Sequence, residues 1–484
     1  MSAKIKINSL SEHQKEQIKA NLYFVCKEFK PQRGFRYEAP TTDKNVAFYL
    51  ADNDSIYLPY TYAASLLNYI PNQHKNYIPC NSMFTGLLRD NQKIVVIDLM
   101  QQLNQYGTTT IGLYPGFGKT VVGAYLTCYL QHLTLILLHL DTLIEQHVAT
   151  FLNNTNCVIY IVGEGNKKVK KMQKDHPHRF YIPSANMHQD IHAFGYENSA
   201  VYMRYHVIIC MEQRYEQIPK FVRKQVKTLI VDEAHSFCTP SRVPALLSVQ
   251  PYYIILQTAT IERDDHMHEM LYSLVGTHGV FLENTKHAHV FILPTNITIE
   301  SKKDRYDITN YDQLVKDSYA NPLRMQILLE LLKRNVGYRT MILTAFKERC
   351  QTIFNEVSAL ALPCDYVNGD KKEFQPVDIL IGTNKKVGTG FDPLASSNDP
   401  NLKHYQIVIM DFSIKKYAVL TQSAGRAMRS QHPVIIHLVD NNPIYENHLK
   451  KNLNYYRKRN YTVNYLNVND LDSFSLQKYG IPID

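Results

Sequence analysis

The stretch LYPGFGKTVVGAYL, residues 113–126, sets two glycines, a lysine and a threonine between an apolar segment and a helix-forming run. Gly116 and Gly118 would let backbone N–H groups close on a phosphate. Lys119 would bring a cation to its β and γ oxygens and Thr120 a hydroxyl to Mg²⁺, with Phe117 part of the same loop. A strict phosphate loop has another glycine five residues before Gly118, where this chain has Leu113. Taken alone the stretch reads equally as a glycine turn, so the residues downstream must decide.

About half a domain later comes TLIVDEAHSF, a strand-like run that ends in Asp232, Glu233, Ala234 and His235. Carboxylates at a strand end can reach a phosphate loop. Asp232 is placed to hold Mg²⁺ through its water shell, and Glu233 to orient the water that attacks a terminal phosphate. Alone these four residues are an ordinary exposed turn; after a Gly-x-Gly-Lys-Thr loop they point to nucleotide hydrolysis. QTATIERDD follows, with Thr258 and Thr260 at the next strand end, small hydroxyl residues that can couple the acidic pair to the rest of the machine. GTNKKVGTGFD then offers Thr383, Gly390 and Asp392, and QSAGRAMR offers Gln422, Gly425, Arg426 and Arg429. Three residues apart on a helix, the two arginines share one side. Facing a nucleotide held by another domain they act as arginine fingers; an isolated pair is a surface salt bridge.

This ordered set, from about Arg89 to Arg429, resembles the superfamily-two helicases. The resemblance implies two RecA-like domains, ATP with Mg²⁺ at Thr120 and Asp232, and a nucleic-acid track. LRDNQKIVVI looks like the upstream glutamine motif, in which Gln92 reads the adenine edge. DTLIEQHVATF looks like motif Ia, which brings Thr142 and Gln146 to nucleic acid, as Thr383 is in the second domain. The same resemblance implies nucleotide contacts for Gly390 and Asp392 and coupling roles for His235, Thr258, Thr260 and Gln422. Within the superfamily, GFGKT, the N-terminal IYLP and the tail LVDNNPIYENHLKKNLNYYRKRNY are most similar to the poxvirus transcript-release DNA helicase and its relatives in other large DNA viruses. That likeness implies a role with viral transcription machinery. Departures are Pro115 for Thr or Cys, His139-Leu140 for Pro-Thr, and Ile261 for Pro. DNA is favoured over RNA because Ser423 and Met428 replace residues distinctive of RNA helicases carrying DEAH, and because little chain follows Arg429. The alternatives are a duplex translocase that separates no strands, an RNA helicase, or a scaffold subunit that binds nucleotide without turnover.

Such residues must be presented at the ends of parallel strands, and the chain alternates short apolar runs with helix-like segments as that requires. Runs at Thr134, Cys157, His206, Thr228 and Tyr252 form one series, and runs at Arg339, Val377, Tyr405 and Pro433 a second. They predict an accessory domain over 1–85, a RecA-like α/β domain over 86–287 and another over 288–484 with a helical tail. Within 1–85 a hairpin is expected to turn at Asn53-Asp54. Residues 163–180, GEGNKKVKKMQKDHPHRF, read as a basic surface loop that either touches a phosphate backbone or is solvated. In the tail, Tyr445, Leu449, Leu453 and Tyr456 have helical spacing and read as core, with Lys450, Lys451, Arg457, Lys458 and Arg459 outside.

Composition sets wider bounds. At 484 residues and 45% hydrophobic content the chain has ample material for roughly three domains and is no disordered polymer. Lys and Arg outnumber Asp and Glu 53 to 44, a net +9 that suits a polyanionic partner. The eight cysteines form no CxxC pair, which speaks against a disulfide framework or zinc finger and fits a reducing compartment. Neither a signal-peptide run nor a membrane-length apolar run is present, so an intracellular protein without membrane attachment is expected. Histidines in HMH and HPH lack further ligands at metal-binding spacing.

Overall fold

Residues 2–25, 45–68, 70–72, 75–183, 194–197, 200–258, 266–302, 309–371, 374–388 and 403–484 are described by a computed structural model. Thr260, Gly390 and Asp392 lie outside these described residues. The chain divides into two compact units, Met1–Leu113 with Phe117–Leu282, and Tyr114–Gly116 with Glu283–Asp484.

The first unit is built on eight parallel strands. In chain order they are β1 (Thr108–Leu113), β2 (Thr134–Leu138), β3 (Ile159–Ile161), β4 (Phe180–Tyr181), β5 (Val207–Met211), β6 (Thr228–Asp232), β7 (Tyr253–Gln257) and β8 (Val280–Leu282). Across the sheet they run β8-β1-β7-β6-β2-β5-β3-β4, every neighbouring pair parallel. Helices cover both faces of such a sheet, which is why Thr134–Leu138 and Val207–Met211 are buried along their whole length. Because all strands point one way, the phosphate-loop candidate after β1 and the carboxylates after β6 emerge at the same edge, where α/β folds bind ligands.

β1 carries three buried threonines, which hide it from a search for apolar runs. Two of their hydroxyls are satisfied inside: Thr108 donates to the Val275 carbonyl at 2.9 Å and Thr109 to Gln102 Oε1 at 2.6 Å. The N-terminal residues share the first unit's core, Ala3, Ile5 and Leu58 clustering with Leu229 and Leu246. Leu50–Ala51 pairs antiparallel with Ser55–Pro59, and the Asp52 carboxylate accepts from the N–H groups of Asp54 and Ser55 to close the turn at Asn53-Asp54.

The second unit repeats the plan with seven strands: β9 (His289–Thr298), β10 (Thr340–Thr344), β11 (Cys364–Val367), β12 (Ile379–Thr383), β13 (Ile407–Met410), β14 (Val434–Asn441) and β15 (Thr462–Tyr465). Their order is β11-β12-β10-β13-β14-β9-β15, again with parallel neighbours. Two α/β units with parallel sheets are therefore present, the fold class the sequence implies. Tyr445, Leu453 and Tyr456 of the helix Pro443–Lys458 are buried and Lys450, Lys451, Arg457 and Lys458 exposed, so the tail stripe is core. No helix among the described residues is long and apolar enough to cross a membrane.

Two local readings need correction. Residues 163–180 are not a loop: Lys167–Asp175 is a helix whose first turn is capped by Asn166, the side chain accepting from the Val169 N–H at 2.9 Å. Arg426 and Arg429 are not on one helix, because the helix Tyr417–Ala427 stops before Arg429 and Met428 is its C-cap, so helical spacing does not fix their relative direction.

Candidate active site

The loop between β1 and the helix α1 (Lys119–Leu130) bends through two left-handed positions, Gly116 at φ +90° and Gly118 at φ +99°. Glycine takes this conformation without strain. At 118 it is also required by space, since a Cβ there would sit 2.5 Å from Gln92 Nε2. Gln92 is buried; its amide donates to the Phe117 carbonyl at 2.9 Å and its oxygen accepts from the Arg89 N–H at 3.0 Å. The glutamine thus clamps the loop from below through Phe117. Lys119 begins α1, and its ammonium donates to the Leu113 carbonyl at 3.0 Å, across the loop's mouth. Thr120 follows on the first turn, its hydroxyl accepting from Gln146 Nε2 at 3.2 Å. Gln146, read from sequence as a nucleic-acid contact, is therefore tied to the loop, while Thr142 is half-buried one turn earlier on the helix α2 (Asp141–Asn154).

At the end of β6 the Asp232 carboxylate is held on both oxygens. The Glu233 N–H donates to Oδ1 at 2.9 Å, and His147 Nε2 lies 3.0 Å from Oδ2. Burial alone would raise the Asp232 pKa. The hydrogen bond and charge at His147, with the nearby Lys119 ammonium, outweigh burial and keep the carboxyl below its ordinary value. Glu233 adopts φ +50°, a left-handed position that costs a non-glycine residue about 1–3 kcal/mol and marks a site held by its surroundings. His235 Nδ1 stands 2.9 Å from Thr258 Oγ1 and 3.5 Å from Glu233 Oε2. The expected coupling residues His235 and Thr258 thus come together with Glu233 across two adjacent strand ends.

Several partners here escape a motif reading. His147 belongs to the buried face Leu143, Ile144, His147, Val148 and Phe151 of α2, and a histidine within an otherwise apolar stripe is the signal that could have found it. Gln257 donates from its amide to the Lys119 carbonyl at 3.2 Å. Arg242 donates to the Ser236 carbonyl, pairs with buried Glu212 at 3.1 Å, and so braces the segment after Glu233. His139, where proline is usual, packs edge-on to Phe237 with ring centroids 6.2 Å apart, and burial followed by the Arg242 charge pushes its pKa down to about 4. No sequence pattern points to the Arg242 and Glu212 pair.

In the second unit Thr383 is buried at the end of β12, Gln422 is half-buried, and Arg426 is 7% exposed. Ser423 donates to Asn384 Oδ1 at 2.8 Å, which joins the last motif to the turn after β12.

Residues 85–263 match the family described as type III restriction enzyme, res subunit. The chain is 25% identical over 489 residues to "Putative helicase 161L" of Invertebrate iridescent virus 6, covering 95% of this chain and 98% of that protein. The likeness is to a protein named as a helicase, and it runs over nearly the whole of both chains. To "Putative ATP-dependent RNA helicase L396" of Acanthamoeba polyphaga mimivirus, another relative, it is 21% identical, over 88% of this chain and 79% of that protein. Among solved structures, S. cerevisiae Dbp5 bound to RNA and ADP BeF3 is similar with a TM-score of 0.51 at 13% identity, covering 78% of this chain and 90% of that one, a likeness of fold. The glycine loop after β1 and the carboxylates after β6 lie at a single edge of the first unit's sheet.

His147 is the natural test of how that edge is held. Outer-shell partners of ligating carboxylates typically contribute 10–100-fold to metal affinity or activity. With Asp232 in the Mg²⁺-holding role expected from the sequence, His147→Ala should raise the Mg²⁺ concentration needed for half-maximal ATP hydrolysis by roughly tenfold or more. His147→Gln, which keeps an N–H at similar reach, should restore part of it. An unchanged Mg²⁺ dependence in a folded His147→Ala protein would remove the residue from this role.

Proposed function

We propose that the chain is an ATP-dependent DNA motor of superfamily two that serves viral transcription by remodelling or releasing a stalled complex, as its likeness to the poxvirus transcript-release helicase implies. The observation that carries the reading is the shared edge of the first sheet, which gathers Lys119 and Thr120 on the loop after β1 and Asp232 and Glu233 on the turn after β6.

Each of these residues then has a defined task. Backbone N–H groups between Gly116 and Lys119 and the Lys119 ammonium bind the β and γ phosphates of ATP. Thr120 and Asp232 are hard oxygen donors of the kind Mg²⁺ takes beside phosphates and water, and they would hold it. The cation, when bound, neutralises charge on the phosphate oxygens. Glu233 orients the attacking water and receives its proton, and Gln92 shapes the loop beside the base. His235 and Thr258 carry the state of Glu233 to the neighbouring strand end. Thr142, Thr383 and Gln422 are assigned to the nucleic-acid track and its coupling, and Thr260, Gly390 and Asp392 to coupling and nucleotide contact.

Arg426 and Arg429 are assigned to charge stabilisation during turnover. Arg426→Lys and Arg429→Ala should leave ATP affinity nearly unchanged and lower turnover by roughly a thousandfold or more, the range of arginine fingers. Rates near the unmodified chain's would exclude the second unit's arginines from hydrolysis.

DNA is the proposed polymer because Ser423 and Met428 stand where RNA helicases of the DEAH type carry Arg and Gly. RNA is the second reading, favoured by the name of the mimivirus relative. ATP hydrolysis measured in parallel with single-stranded DNA, duplex DNA and RNA tests the choice, and strand displacement separates an unwinding motor from a duplex translocase. Greater stimulation by DNA is expected. Equal or greater stimulation by RNA would overturn the DNA assignment.

A further inference from the structure

The helix Lys167–Asp175 begins just beyond the end of β3, at the sheet edge that bears the phosphate loop. Its position there is fixed by contacts: Arg214, which follows β5, donates to the Glu164 carbonyl at 3.5 Å, and Lys168 reaches Glu145 of α2 at 3.2 Å. At 100° per residue, Lys167, Lys170, Lys171 and Lys174 fall within an arc of about 100°. Val169 points the other way and is fully buried. The fold therefore turns four lysines outward on one stripe about 10 Å long, at 1.5 Å per residue. All four are exposed, and Lys170 pairs at 2.7 Å with Glu164, itself exposed, a partner that a stronger anion can replace.

The position of the stripe says what kind of anion it suits. β3 stands five inter-strand spacings from β1 in the sheet order. At about 4.8 Å each this is about 24 Å, beyond the reach of one nucleotide seated on the loop after β1. A ligand that engages both must be a polymer. The lysine face carries no large apolar side chain to insert into a lipid surface, and no aromatic ring on which a base could stack. Lysines alone read charge rather than sequence, as a motor that steps along any sequence requires.

We infer that this lysine stripe binds the phosphodiester backbone of DNA, outside the motifs of the superfamily. The inference rests on the proposed function for the identity of the polymer. Because the contact is ionic, each phosphate neutralised releases counterions and steepens the dependence of affinity on salt.

The test uses the full chain and a labelled single-stranded DNA, with Kd measured by fluorescence anisotropy over a range of salt concentrations. Replacing Lys167, Lys171 and Lys174 together with Ala, a good helix former, preserves the helix. The slope of log Kd against log salt should become shallower by about two, at about 0.7 for each of three lost contacts. ATP hydrolysis without DNA should be unchanged, and the triple Arg variant should keep the original slope. Unchanged slope and affinity in the Ala variant would overturn the inference. So would displacement of the DNA by polyglutamate as effective as that by unlabelled DNA of equal charge, since the surface would then suit an acidic protein. Failure of the functional reading itself shows separately, as an unmodified chain whose ATP hydrolysis does not respond to DNA.

Discussion

Glu233→Gln is expected to bind ATP with Mg²⁺ as the unmodified chain does and to hydrolyse it roughly a hundred- to ten-thousandfold more slowly, the range for loss of a general base. The substitution keeps size and the left-handed turn at φ +50° but removes the charge that orients water. Asp232 keeps both of its hydrogen bonds, since one comes from the residue 233 backbone and the other from His147. Binding and hydrolysis should therefore separate cleanly when nucleotide affinity and single-turnover hydrolysis are measured side by side. If the Gln variant also lost ATP affinity, Glu233 would be part of the scaffold and not of the chemistry.

Lys119→Ala is expected to differ in kind, weakening ATP binding and lowering turnover by roughly a thousandfold, because a preorganised cation acts on the phosphates in the ground state and more strongly as charge moves in the transition state. Folding should be little affected. The ammonium makes one hydrogen bond, to the Leu113 carbonyl, and Ala is a better helix residue than Lys at the start of α1. Thermal melting close to that of the unmodified chain, with hydrolysis lost, is the expected pair of results. Turnover within a fewfold of normal would disqualify the loop as a phosphate cradle.

Much of this arrangement is legible in the sequence, for reasons that can be named. Apolar runs such as TLILL and VIICM are buried on both faces of a parallel sheet, so they announce strands without alternation. Motif order places Lys119 and Thr120 after β1 and Asp232 and Glu233 after β6, and the parallel topology, with β7 alone between those strands, turns that order into proximity. Other features are out of reach because they depend on tertiary partners. The threonine strand Thr108–Leu113 looks polar until its hydroxyls meet Val275 and Gln102. His147 lies beside the recognised Gln146, yet its bond to Asp232 spans 85 residues. Residues 163–180 look like a solvated loop because lysine is common in both loops and helices. The Asn166 cap and the buried Val169, one side chain each, are what make a helix of them.

The central claim is that this chain couples ATP hydrolysis to nucleic acid, and steady-state ATP turnover by the purified full chain measures it most directly. Phosphate release would be followed with Mg²⁺ and saturating ATP, with and without single-stranded DNA, and with the Glu233→Gln protein as the blank. The account predicts turnover that depends on Glu233 and rises severalfold or more when DNA is added. Turnover indistinguishable from the Glu233→Gln blank, with DNA present or absent, would contradict it.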